Sequence, residues 1–199
     1  DPANENVLYL GADNGAYVSL NRGESWEVFS KGLPNVAVHD LVIQPEAKDL
    51  VLGTHGRSLY VADVALIQKL TISNMNEIVI ADLKEIRHSK RWGSSWSQWS
   101  DSNEPSVEIQ FYSPQGGMTS ITIESEDGKE LQLIQIEAFK GANVYDYNLT
   151  LSKKGVKNLE KAEVKLTKGA NDKHYLPKGK YKVVVKNASK FAKNMISIK

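Results

Sequence analysis

The sequence predicts an all-β chain in two parts: short repeated strands over residues 1–70 and a sandwich over residues 105–199, joined by a connector at 71–104. Three observations carry this. Apolar runs of four to eight residues alternate with Gly, Asn, Asp and Pro turns along most of the chain. One such run recurs at a fixed offset. Apolar residues make up 41% of the 199, enough for packed cores, so wholesale disorder is excluded.

In the first part, Val7 to Leu10 precedes the turn Gly11 to Gly15, where glycine supplies the positive φ of a tight connection. Ala16 to Ser19 and Trp26 to Phe29 read as strands around a turn at Asn21-Arg22-Gly23. After Gly32-Leu33-Pro34-Asn35, Val36 to Ile43 resumes the pattern with His39 and Asp40 inside it. Leu8-Tyr9-Leu10-Gly11 then matches Leu50-Val51-Leu52-Gly53, and Tyr17-Val18 matches Tyr60-Val61, at an offset of 42 to 43 residues. A period of that length built from short strands is the signature of β-propeller blades.

The turn Ser19-Leu20-Asn21-Arg22-Gly23-Glu24-Ser25-Trp26 resembles an Asp-box, Ser-x-Asp-x-Gly-x-x-Trp, with Asn21 in the Asp position. With Gly32-Leu33-Pro34, Val38 to Ile43 and Asp49 to Arg57, residues 7–70 resemble the last blades of bacterial BNR-repeat proteins. Those are related to the sortilin (VPS10) propeller and to Asp-box glycoside hydrolases. The resemblance implies the final one to two blades of a propeller from an exported protein, secreted, periplasmic or at the cell surface of a bacterium. Its box implies a hairpin staple and not chemistry: Ser19 and Asn21 satisfy turn amides, Gly23 permits the turn, and Trp26 packs between blades. Closed propellers need four to eight blades, so the remaining blades are an expected partner, and a start at Asp1-Pro2 is expected of a piece of a longer protein.

Residues 71–104 change character. Ile78, Leu83 and Ile86 fit a short helix or a crossing strand, and a polar run from Arg91 to Pro105 carries Trp92, Trp96 and Trp99. From Ser106 onward about seven strands are expected, among them Val107 to Tyr112, Ser120 to Ile123, Leu131 to Phe139, Tyr145 to Leu151, Ala162 to Leu166, Tyr181 to Val185 and Met195 to Ile198. Strands at that density suggest an immunoglobulin-like sandwich.

Within a blade, strand direction alternates, so alternate loops share one rim. Asp13, Asn14, Asn35, His39, His55 and Arg57 are therefore expected together on the face where propellers usually bind ligands. The histidines can act as acid–base groups or contacts, or simply pin loops. Glycoside hydrolysis needs two carboxylates across a cleft. Asp13, Asp40 and Asp63 are the available acids and nothing in the sequence pairs them. The three Trp suit either sugar stacking or an interface between domains.

The net charge of +1 conceals a division: residues 1–138 sum to −10 and residues 139–199 to +11, the latter with Lys and no Arg. Without Arg, recognition motif or many stacking aromatics, this basic region does not read as a nucleic-acid site. With no Cys there is no disulfide framework or thiolate site, and no metal spacing, phosphate loop or nucleophile elbow occurs, so no cofactor is implied. No run is long and apolar enough for a helical membrane span. The sequence thus points to a non-catalytic binding and scaffolding chain, for proteins or glycans. The alternative is one wall of a polysaccharide-degrading hydrolase whose acids lie mostly elsewhere.

Overall fold

The chain was analysed as a computed structural model describing residues 1–29, 32–97 and 99–199; Gln98, within the Trp-bearing run, lies outside the described residues. Antiparallel strands dominate, and the chain divides into two compact units, Asp1–Asn76 and Glu77–Lys199. Residues 77–104, part of the connector in the sequence reading, belong to the second unit.

The first unit contains two three-stranded meanders. β1 (Leu8–Ala12), β2 (Gly15–Ser19) and β3 (Glu27–Val28) form one sheet. β4 (Val38–Gln44), β5 (Asp49–Thr54) and β6 (Leu59–Asp63) form the other, followed by the short α1 (Ala65–Gln68). Residues directly paired across a ladder share a face. Leu8 pairs Ser19 and Leu10 pairs Tyr17, so Leu8, Leu10 and Tyr17 line one face of the first sheet, with Tyr9, Gly11 and Val18 on the other. In the second sheet Leu41 pairs Leu52, which pairs Tyr60, while Val42 pairs Val51, which pairs Val61.

The repeat can now be read in terms of burial. Leu8 is 37% exposed and its equivalent Leu50 is 0%; Leu10 is 46% and Leu52 is 3%; Val18 is 6% and Val61 is 63%. The sheets meet where a Cβ on Gly11 would fall 2.6 Å from the Val38 carbonyl oxygen. Val38 stands opposite Thr54, on the Leu50/Leu52 face. The back of the first sheet thus packs on the front of the second. Each sheet buries the face that its equivalent leaves open. Two apolar faces remain at the surface: Leu8, Leu10 and Val28 on one sheet, Val42, Leu59 and Val61 on the other.

The second unit holds two open sheets. β8 (Val107–Ser113), β9 (Gly117–Glu124), β10 (Glu130–Ala138) and β11 (Gly141–Tyr147) form a long hairpin whose two arms change sheets at residues 114–116 and 139–140. The corners are turned by Gly117 (φ 116°) and Gly141 (φ 103°), a backbone region that other residues adopt only with strain. One sheet runs β10-β9-β12-β13, with β12 at Gly179–Asn187 and β13 at Lys190–Ile198. The other runs β11-β8-β7, where β7 is Val79–Ile80. Alternate residues of both sheets meet in one core, with Ile109, Phe111, Ile121, Ile123, Val183, Val185 and Ile196 fully enclosed.

One expected element is absent and one unexpected element is present. Ala162 to Leu166 is not a strand, and the segment before it forms α2 (Lys153–Lys161). Ser152 caps this helix, its Oγ accepting from the Gly155 N–H at 2.9 Å and donating to the Leu131 carbonyl at 3.0 Å. Asn158 Nδ2 donates to the Glu130 carbonyl at 2.8 Å, so α2 covers the start of edge strand β10. Gly155 lies against the Leu131 carbonyl, where no Cβ fits.

Candidate functional site

The turn from Leu20 to Trp26 joins β2 to β3. Ser19, fully buried, accepts the Gly23 N–H at 2.8 Å through Oγ and donates to Asn21 Oδ1 at 2.9 Å. Asn21 Oδ1 accepts the Ser25 N–H at 2.9 Å, and Asn21 Nδ2 donates to Ser25 Oγ at 2.8 Å. The amide of Asn21 thus does through its oxygen what a carboxylate would do, and its nitrogen makes one further bond. Arg22 and Gly23 both take positive φ, and Arg22 reaches back to Asn6 and pairs with Glu5. Trp26 is not enclosed between sheets; its ring lies by Gly23 and is 40% exposed, because its face of the first sheet is one of the two left open.

Of the six residues expected on one rim, His39 and His55 meet, and the others lie in the turns and strand approaches of the first unit. Asp13 and Asn14 form the β1–β2 turn, with Asn14 Oδ1 accepting from the Tyr17 hydroxyl at 3.0 Å. His55 and Arg57 lie in the β5–β6 turn, and the His55 N–H donates to the Ala37 carbonyl at 2.9 Å. His39 sits near the start of β4, and its ring meets that of His55 edge-on at 5.2 Å between centroids. Asn35 precedes the same strand. All six are exposed. Asp40 Oδ1 accepts the N–H of Leu41, and Asp63 Oδ1 accepts the N–H of Ala65 at the start of α1. No group of three His, Asp or Glu among the described residues is placed to hold a metal ion.

The three connector tryptophans separate. Trp92 is nearly buried in the core of the second unit, tilted against His88 at 4.8 Å and Tyr175 at 6.0 Å between centroids. Trp96 is 86% exposed and Trp99 89%. Both lie on a loop rooted by a Ser95–Ser102 bridge and by the Gly93 N–H bonded to the Asn103 carbonyl at 2.9 Å. Gly93 (φ 78°) presses on Gly169 and Asn171, which leaves no room for a Cβ. Glu104 anchors the far side of the loop, accepting from Lys173 Nζ at 2.6 Å and Asn171 Nδ2 at 3.0 Å. The Lys173 bond and charge hold the Glu104 carboxyl below its ordinary value.

Beside this loop lies a feature that sequence reasoning missed: a cavity of about 510 Å³. Its lining combines His88, Trp92, Leu166, Tyr175 and Pro177 with the hydroxyl residues Ser89 and Thr167 and with Lys90, Lys165, Lys168 and Lys178. Lys168 pairs with Asp172 at 2.6 Å; among the described residues no carboxylate pairs with Lys90, Lys165 or Lys178. Desolvation first, then the charges of Lys178 and Lys90, lowers the His88 pKa from its ordinary value. Only the uneven lysine content of residues 139–199 hinted at this, because the lining comes from three separate coil segments.

Compared with known proteins, the chain matches no family model, and no curated sequence is significantly similar to it.

Proposed function

We propose that this chain is a binding and scaffolding portion of an exported BNR-type, sortilin-like β-propeller, followed by an immunoglobulin-like module. The exchange of buried and open faces between repeat equivalents carries the reading. A front-to-back contact between the unlike faces of successive repeats generates a ring when its rotation closes, and each repeat needs neighbours on both sides. Leu8, Leu10 and Val28 on one side, and Val42, Leu59 and Val61 on the other, are then surfaces for the remaining blades. The staple at Ser19, Asn21 and Gly23 supports the same reading as a hairpin device. In the second unit, the Tyr181 hydroxyl donates to the Pro177 carbonyl at 2.8 Å, a corner contact found in many such sandwiches.

Binding is favoured over hydrolysis by the rim. His39 and His55 stand together, whereas among the acids of the first unit Asp40 is engaged with the Leu41 amide and Asp63, opposite Asp49 at the far end of β6, accepts from the Ala65 amide, so these two do not supply the facing carboxylate pair that hydrolysis needs. A panel of polysaccharides and cell-surface proteins incubated with the chain tests this. Retention of a ligand without release of new reducing ends supports the binding role; release of reducing ends would replace it with the hydrolase reading.

A further inference from the structure

We infer that the cavity beside the tryptophan loop of the second unit is a binding site for an anionic saccharide, one whose sugars carry carboxylate or sulfate groups. This rests on the reading of the chain as a binding module and names one site and one ligand class for it.

Charge comes first. Lys90, Lys165 and Lys178 stand at one cavity with no carboxylate paired to them among the described residues. Clustered ammonium groups left without counter-charge repel one another, and an anion at their centre relieves that repulsion. The interior matches a sugar. The edges of Trp92, Tyr175, Leu166 and Pro177 offer apolar contact for ring C–H groups. Ser89, Thr167 and the His88 ring can exchange hydrogen bonds with hydroxyls. A volume of about 510 Å³ is within the range of small-molecule sites.

The adjoining loop extends the site. Its root at Gly93 touches Gly169 and Asn171 at the cavity wall, and it carries Trp96 and Trp99 almost fully exposed. Large aromatic faces in water cost free energy, and neighbouring sugars of a chain can cover them by stacking. Arg91 lies 6.0 Å from the Trp96 ring, adding a cation beside one platform.

Other anions fit less well. Inside the cavity itself Trp92 and Tyr175 are nearly buried and no Arg lines it, so a base finds no open ring face to stack on there. An acidic peptide would use main-chain pairing, and no named strand lines the cavity.

Calorimetry of the full chain with a tetra-galacturonate, its sulfated neutral-sugar counterpart and the unmodified neutral oligomer tests the proposal. At least one anionic oligomer should bind, with the neutral one weaker by about tenfold or more. Preference for uronate or for sulfate tells which group the site was built for. The triple substitution Lys90→Gln, Lys165→Gln, Lys178→Gln should weaken binding by about tenfold, as should the pair Trp96→Ala, Trp99→Ala. The tryptophan pair is exposed, so its folding should match the parent chain. Equal affinity for the neutral oligomer, equal competition by poly-glutamate, or unchanged binding by both variants would overturn the site. If anionic binding is lost instead on His39→Ala and Arg57→Ala, the binding role stands and this location fails. If no oligosaccharide binds, the anionic-saccharide site fails, and a protein ligand remains open to the binding role.

Discussion

In the second unit, Phe111, Ile121, Val183 and Ile196 are sealed in one core between two sheets, whereas in the first unit Leu8, Leu10 and Val61 stand at the surface. Both units are built from antiparallel strands. The difference lies in how a strand's second face is covered. A sandwich needs only one inner face per sheet, since the outer faces can be polar, as with Lys180, Lys182 and Lys186 on β12. A stacked repeat has apolar residues on both faces and depends on neighbours for each. Burial equivalence within a repeat therefore reports whether a neighbour is present, which neither composition nor strand content can do.

The comparison is most strongly tested by core truncation. Phe111→Ala should destabilise the second unit by about 3–5 kcal/mol. Chemical denaturation followed by hydrogen exchange should show this loss in residues 77–199 and leave the first unit unchanged; a loss spread evenly over both would erase the distinction.

Within the first unit, equivalent substitutions should have unequal effects. Leu50→Ala should cost about 2–5 kcal/mol, while Leu8→Ala should cost about 1 kcal/mol or less, measured from the shift of the denaturation midpoint. The glycines repeat the contrast. Gly11→Ala drives a Cβ against the Val38 carbonyl, whereas at Gly53 the nearest atom is an ordinary 3.5 Å away. Similar effects at both members of either pair would contradict the exchange of faces.

Ser19→Ala should cost about 1–2 kcal/mol, because it removes the acceptor for the Gly23 N–H inside a buried turn. Asn21→Asp, by keeping both oxygen contacts, should be nearly neutral in thermal melts.

The smallest effect concerns His88 in the second unit. Its pKa is lowered, so the unfolded chain binds the proton more readily and stability falls as pH drops through the ordinary histidine value of 6.5. Above that value the contribution is fully present. Proton NMR should find His88 titrating below the ordinary value, and Lys178→Gln should move it upward; Lys90 also faces the ring, with Lys165 and Lys168 farther around the cavity.

Most strands were legible in the sequence, since period-two alternation and glycine turns report local geometry directly. The meeting of His39 with His55 was legible because an antiparallel meander puts the start of β4 beside the end of β5. α2 was not. Val156 and Leu159 are its only apolar residues, and Gly155 lowers helix propensity. That glycine is there because the helix sits directly on the Leu131 carbonyl. The tryptophans were legible as a cluster and not as individuals, because burial of Trp92 depends on His88 and Tyr175, the latter distant in sequence. The lysine-ringed cavity escaped for the same reason.

The proposed propeller requires the two open faces of the first unit to be complementary halves of one front-to-back contact. Analytical ultracentrifugation of the chain and of two variants, Leu10→Lys and Val61→Lys, tests it most directly. The parent chain should self-associate with concentration, and each variant should be monomeric, since a contact between unlike faces needs both. Mixed together, the variants should form a one-to-one dimer, each supplying the face the other lacks. A parent chain that stays monomeric, a single variant that still associates, or a mixture that does not pair would contradict the claim.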